Sequence, residues 1–162
     1  MNDSSKANQP CEAEFPTEGR LLGLDYGTKR IGIAVSTFEQ NIASPLENYT
    51  RQSEQQDQNF LLKIIKEYQC QGLVVGLPVH MSGDEGQKAK EARQFGDWIS
   101  QFANIPVRYW DERYSSATAE EFLADLNMSR QKRKAYLDKL AAQVILQSFL
   151  DSADRNQIPG SF

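Results

Sequence analysis

Three acidic residues, Asp25, Glu112 and Asp138, are the part of this sequence best suited to chemistry. Asp25 lies in the most apolar stretch of the chain, residues 21–36, where an ionised carboxylate is costly unless it is paired, hydrogen-bonded or bound to a metal. Glu112 follows a later predicted strand, and Asp138 lies on the last predicted helix. Three carboxylates that converge on one sheet edge would form a divalent-metal site, and this leads to the hypothesis of a nuclease.

The expected metal is Mg²⁺ or Mn²⁺, with two ions in the site. Hard divalent ions prefer oxygen ligands, and Mg²⁺ uses a few carboxylates together with substrate phosphate. Two such ions, roughly 4 Å apart, can activate a water and stabilise the leaving oxygen of a displacement at phosphorus. Each acid alone could instead form an ion pair with a basic neighbour, such as Arg113 for Glu112. We favour the metal because Asp25 has few such neighbours in its strand.

The hydrophobic pattern predicts an α/β fold that positions these acids. The predicted order is βββαβαβαα, a ribonuclease-H-like mixed sheet of five strands flanked by helices. Asp25 would end the first strand and Glu112 would follow the fifth, so both would point to the edge where ligands of open α/β sheets bind. The strands are predicted at about 21–26, 30–36, 42–49, 72–77 and 105–110, and the helices after 53 and 86 and at about 116–126 and 130–152.

Length and composition indicate one globular domain. The chain has 162 residues, of which 40% are hydrophobic and 25% charged, as is usual for such a domain. We predict a disordered N-terminal tail over residues 1–20, a nuclease domain over 21–152 and a C-terminal tail over 153–162. No run approaches the ~18 apolar residues of a membrane span, and residues 1–20 lack a secretory signal. A cytoplasmic protein without a membrane partner is expected.

A basic segment precedes the third acid, although the net charge of the chain is −4. Residues 130–139 contain five basic residues and one acid, and Arg130, Lys132 and Arg133 begin the run. Positive charge beside an active site suits an enzyme that engages a polyanion briefly. A solvated helix turn explains the same run equally well. We include these three residues among the candidate substrate contacts.

Four segments carry a family resemblance, in this order over residues 21–152: LLGLDYGTKRIGIAVS, GLVVGLPVHMSGDEG, VRYWDERYSSATAE and SRQKRKAYLDKLAAQVILQSFLD. Together they resemble the YqgF/RuvX family, in the RuvC-like branch of the ribonuclease-H superfamily. The resemblance implies that Asp25, Glu112 and Asp138 are the metal-binding and catalytic acids.

The same resemblance implies substrate contacts around the acids. Gly27 and Thr28, followed by Lys29, would let backbone approach the substrate beside the first acid. Arg113 would orient the second acid or contact phosphate. His80 stands where relatives commonly have Asn, and we interpret it as a polar loop residue near substrate rather than a general base.

Members of this family are described as nucleases that mature the 5′ end of small-subunit ribosomal RNA, and earlier as Holliday-junction resolvases. We therefore expect a hydrolase of nucleic-acid phosphodiesters, with RNA favoured and the ribosomal small-subunit precursor as partner. A junction resolvase is the first alternative and would need a two-fold dimer. A non-catalytic ribosome or transcription factor is the second. The Asp-x-Gly-Thr motif also begins the phosphate-binding lobe of some ATPases, but those need two lobes and 162 residues hardly supply one.

Overall fold

The computed structural model describes residues 10–80, 82–114, 129–156 and 158–159, and the side chains of 133–139 lie outside this description. The strands are β1 (Leu21–Asp25), β2 (Arg30–Ser36), β3 (Ala43–Thr50), β4 (Gly72–Leu77) and β5 (Val107–Asp111). The helices are α1 (Glu54–Tyr68), α2 (Gln87–Ala103) and α3 (Arg130–Asp151), with a 3₁₀ turn at Glu112–Tyr114.

The five strands form one mixed sheet in the order β3-β2-β1-β4-β5. β2 is antiparallel to both β1 and β3, whereas β4 runs parallel to β1 and β5. The predicted ribonuclease-H-like α/β fold is therefore confirmed, and the observed strand ends differ from the predicted ones by two residues at most. The helix predicted at 116–126 lies outside the described residues.

Helices cover both faces of the sheet because successive strand residues point to opposite faces. In β4, Leu73, Val75 and Leu77 pack with α1 and α2, whereas Val74 belongs to the cluster formed by α3. All six residues of β4 are buried, as expected of a central parallel strand. None of the described helices is long and apolar enough to cross a membrane.

Gly23 in β1 lets α3 lie directly on the sheet. A Cβ atom at this position would be 2.7 Å from Cβ of Leu146 and 3.2 Å from the carbonyl oxygen of Ala142. Both atoms belong to or adjoin the helix backbone, so they cannot move away as the end of a flexible side chain could. The small Ala142 and Gly23 thus set the distance between α3 and the strands that carry the acids.

We expect Gly23→Ala to destabilise the protein by about 1–3 kcal/mol, the usual range for overpacking a core. Urea unfolding measures the change. Gly72→Ala in β4 is a matched control, because its Cβ would come no closer than 3.1 Å, to the side-chain ends of Leu21 and Phe15. Equal losses of stability in the two variants would contradict the close contact at Gly23.

The packed chain extends beyond the predicted domain boundaries at residues 21 and 152. The ring of Phe15 lies 5.7 Å from that of Phe149, centroid to centroid, in an edge contact. At the other end, Arg155 donates hydrogen bonds to the side-chain and backbone oxygens of Gln40. Further hydrogen bonds hold the N-terminal segment, such as that from the backbone N–H of Cys11 to Ser100. The polar composition of both segments gave no signal for these contacts. Residues 1–9 of the predicted N-terminal tail lie outside the description.

Candidate active site

The sheet brings Asp25 and Glu112 together at its carboxyl edge. Asp25 is the last residue of β1, and Glu112 directly follows β5. Both strands run parallel to β4 and lie on either side of it, so their carboxyl ends meet at one edge. The two carboxyl groups lie within hydrogen-bonding reach of each other, and both line one cavity. Two of the three predicted acids therefore share one site.

Gly76 in β4 provides the space for Glu112. A Cβ atom on Gly76 would be 2.9 Å from Oε1 of Glu112 and 2.6 Å from Cδ1 of Ile145. The glutamate thus lies across the central strand, where only glycine leaves room for it. The sequence interpretation missed this role, although a glycine inside an apolar strand often marks a close approach.

The pKa of Glu112 is raised from its ordinary 4.5 to about 7. Burial is the largest cause, followed by the negative charge and hydrogen bond of Asp25 and then by the charge of Asp111; Lys88 acts in the opposite direction. Without a cation, Glu112 keeps its proton up to about pH 7, because a second negative charge beside Asp25 is unfavourable. A divalent ion would replace that proton.

We expect the stability of the metal-free protein to fall as pH rises through the titration of Glu112. Below pH 4.5 Glu112 is protonated in both the folded and the unfolded protein. Between pH 4.5 and about 7 Glu112 ionises in the unfolded chain but not in the folded protein, so stability is lost. Above that range the loss is complete, about 3 kcal/mol. Urea unfolding in chelator, from about pH 4 to about pH 8, should show wild type losing stability relative to Glu112→Gln. A difference that does not depend on pH would contradict this.

Arg113 forms a buried ion pair with Asp111. Its Nη2 lies 2.7 Å from Oδ2 of Asp111, and its backbone N–H also donates to that carboxylate at 3.0 Å. Asp111 is fully buried. The pair fixes the start of the 3₁₀ turn that carries Glu112. Arg113 can therefore orient Glu112 indirectly, through Asp111. Contact of Arg113 with phosphate stays a prediction.

A cavity of about 360 Å³ opens beside the two acids. Lys88, in the first turn of α2, lines it with Asp25 and Glu112 and is exposed. The sequence interpretation did not single out Lys88. Its position gave a signal, because the helix that follows the loop after β4 begins at the edge where the acids lie. A lysine there can neutralise phosphate charge.

The β1–β2 turn borders the same cavity through Gly27 and Thr28. A Cβ atom on Gly27 would collide with the carbonyl oxygen of Arg30, so the turn requires glycine whether or not substrate approaches it. Lys29 is exposed next to them. His80 is also exposed, and its backbone is hydrogen-bonded within its loop to Asp84 and Gly83. The substrate contacts predicted for this turn remain predictions.

The third predicted acid and the basic segment lie on α3. Asp138 precedes the buried Ala142 by four residues and Ile145 by seven, which places it on the same helix face. The side chains of Asp138 and Arg133 lie outside the description, whereas Arg130 and Lys132 are exposed in the first turn. Among the side chains that are described, no group of three or more His, Cys, Asp or Glu could hold a metal. The donor chemistry of Asp25 and Glu112 nevertheless fits two of the carboxylates of a hard divalent ion.

The sheet order is that of a ribonuclease-H-like fold, and two acids meet at the carboxyl edge of this sheet. Residues 19–152 match the family model described as "RuvX: Holliday junction resolvase", and the chain belongs to this family.

Two relatives from bacteria match most of the chain, and both are named "Putative pre-16S rRNA nuclease". The protein of Rhodopirellula baltica is 38% identical over 142 residues, which cover 88% of this chain and 82% of the relative. The protein of Caldanaerobacter subterraneus subsp. tengcongensis is 43% identical over 134 residues, covering 82% and 96%. Among solved structures, T. thermophilus RuvC in complex with Holliday junction substrate aligns with a TM-score of 0.49 at 14% identity, over 81% of this chain and 92% of that one.

Proposed function

We propose that this protein is a divalent-metal-dependent nuclease that processes the 5′ end of the ribosomal small-subunit precursor RNA. The observation that carries the proposal is the pair formed by Asp25 and Glu112, which line one cavity, are partly withdrawn from water and lie within hydrogen-bonding reach of each other. Strongly perturbed acids in a cleft are typical of functional sites. The RNA substrate rests on the names of the relatives, and the cytoplasm is the corresponding location.

Asp25, Glu112 and Asp138 would hold Mg²⁺ or Mn²⁺, with two ions expected. When bound, the metal supplies an activated water and charge neutralisation at the phosphate. Glu112 would release its proton on binding the cation, so that both carboxylates would be ionised in the metal-bound state. Asp111 and Arg113 keep the turn that carries Glu112 in place, which fixes the position of the Glu112 carboxylate.

Basic residues around the acids would hold the nucleic-acid strand. Lys88 lines the cavity of the acids, and its charge already acts on Glu112. Lys29 and Lys132 are exposed and can therefore contact phosphates. Thr28 lines the cavity from the β1–β2 turn and can donate its hydroxyl to a phosphate oxygen. Gly27, Arg113, Arg130 and Arg133 complete the predicted set of contacts.

The test is a cleavage assay with three labelled substrates: single-stranded RNA, a precursor 5′ leader of small-subunit ribosomal RNA, and a four-way DNA junction. Each is incubated with Mg²⁺, Mn²⁺ or chelator. We expect metal-dependent cutting of the leader RNA. Symmetric cutting of the junction alone would assign the protein to DNA recombination instead, and metal-dependent binding without cutting would favour a non-catalytic factor.

A further inference from the structure

A second and larger cavity, of about 640 Å³, lies next to the cavity of the acids. The β1–β2 turn, the segment from the end of β3 to the start of α1, and one side of α2 form its walls. It shares Tyr26, Thr28 and Glu91 with the smaller cavity, so the two cavities adjoin along the turn that follows Asp25. A chain that runs through the acids can therefore extend into it. Its volume is within the range of about 300–1,000 Å³ that is usual for small-ligand sites.

Aromatic rings form one side of this larger cavity. The ring of Phe95 lies 5.0 Å from that of Tyr26 and 6.0 Å from that of Trp98, between centroids. Phe95 is buried, whereas Tyr26 and Trp98 are partly exposed, so these two present ring surface to the cavity. Aromatic surface of this kind stacks on the bases of single-stranded nucleic acids.

Arg51 is held over these rings by a buried carboxylate. Its Nε donates to Oδ2 of Asp57 at 3.1 Å, and the guanidinium carbon lies 5.6 Å from the ring centre of Tyr26 and 5.5 Å from that of Phe95. Asp57 is nearly inaccessible and also accepts hydrogen bonds from Tyr49 and from the backbone of Gln52. In the described part of the chain, the two terminal nitrogens of Arg51 have no hydrogen bond, so they can bind a ligand.

Charges of both signs line the larger cavity, which suits a nucleotide base and its phosphates better than a free anion. Lys29 and Arg30 are exposed at the rim, where they can contact phosphates. Glu54 and Glu91 also line the cavity. Carboxylates would repel a free phosphate, whereas they accept hydrogen bonds from the amino groups of bases.

We propose that this cavity binds one unpaired nucleotide of the substrate, next to the phosphate that is cut, a role that rests on the proposed nuclease function. The base stacks against Tyr26, Trp98 and Arg51, and the adjoining phosphates contact Lys29 and Arg30. A base inside a duplex is stacked on its neighbours and cannot enter. The cavity thus selects a single strand over a paired one.

Binding is measured without cleavage, in chelator, with short RNA oligonucleotides and the fluorescence of tryptophan. Only Trp98 and Trp110 are present, and Trp110 is 2% exposed, so quenching reports on Trp98. We expect quenching by single-stranded RNA and its loss in Trp98→Phe, which keeps an aromatic ring in the packing. One abasic position along the oligonucleotide should weaken binding about five- to a hundredfold, with little effect at the other positions. The same sequence in a duplex should bind at least about tenfold more weakly.

The double variant K29Q/R30Q tests the rim and should bind single-stranded RNA about tenfold or more weakly. Its matched control is K63Q/K66Q, which removes the same charge from exposed positions of α1 outside the cavity.

Equal losses in both variants, equal effects of every abasic position, or equal binding of duplex would overturn the proposed base site. RNA cleavage without quenching of Trp98 would also overturn it while leaving the nuclease intact. Quenching with one sensitive position but no cleavage in Mg²⁺ or Mn²⁺ would support the base site and count against the nuclease.

Discussion

Asp25→Asn is expected to lose more than about a hundredfold of the cleavage rate while the folded protein becomes no less stable. Loss of a residue that only hydrogen-bonds a metal ligand costs about 10–100-fold in metal affinity or activity. Loss of a ligand itself should therefore cost more. Stability is retained because the asparagine removes a charge that opposes ionisation of Glu112. The amide can in addition donate a hydrogen bond to the ionised Glu112.

Two measurements on Asp25→Asn separate chemistry from folding. Cleavage of the leader RNA in Mn²⁺ gives the rate, and urea unfolding in chelator at about pH 8 gives the stability. Asp84→Asn is a matched control, since it makes the same change at an exposed acid of the loop after β4. If Asp25→Asn cuts like wild type, the site has been assigned to the wrong residues. If it loses activity only by unfolding, Asp25 is structural.

Gly76→Ala should lose about a hundredfold of activity with a loss of stability of only about 1 kcal/mol. The new Cβ would meet Oε1 of Glu112 at 2.9 Å and Cδ1 of Ile145 at 2.6 Å. Both are ends of flexible side chains, so the fold can adjust at modest cost. The adjustment moves the Glu112 carboxylate away from Asp25, and a displacement of about 1 Å in an active site can cost 10²-fold.

Gly72→Ala makes the same substitution at the other end of β4, away from the acids, and should leave the rate unchanged. Steady-state cleavage of leader RNA by both variants, with urea unfolding of each, is the required comparison. A Gly76→Ala protein with the wild-type rate would mean that Glu112 is not held across β4 during catalysis. Equal loss of activity in the two variants would point to a general effect on the sheet.

The sheet was predictable because its strands have simple patterns. β4 is a short, continuously apolar run, and β1 and β2 are apolar segments on either side of a turn that needs Gly27. The meeting of Asp25 and Glu112 followed from the same pattern, because parallel neighbours end at one edge. Their role in metal binding stays a prediction.

Contacts that depend on how the chain packs in three dimensions could not be predicted. Arg113 follows two successive acids, and the sequence does not show which of them faces it; the structure pairs it with the buried Asp111. The space at Gly76 and the nearness of Lys88 depend on how β5 and α2 pack against β4. The larger cavity likewise depends on contacts between distant segments. Asp57 in α1 holds Arg51 over the rings of Tyr26 in the β1–β2 turn and Phe95 in α2.

Titration calorimetry with Mn²⁺ tests the central claim most directly, because it needs neither a substrate nor an assumption about RNA or DNA. Wild type should bind Mn²⁺ with release of protons near pH 7, since the cation favours the ionised form of Glu112, whose pKa is raised to about 7. Asp25→Asn and Glu112→Gln should bind much more weakly, and Asp84→Asn should bind like wild type. Binding of Mn²⁺ that is unchanged in both Asp25→Asn and Glu112→Gln would contradict a metal site at these acids.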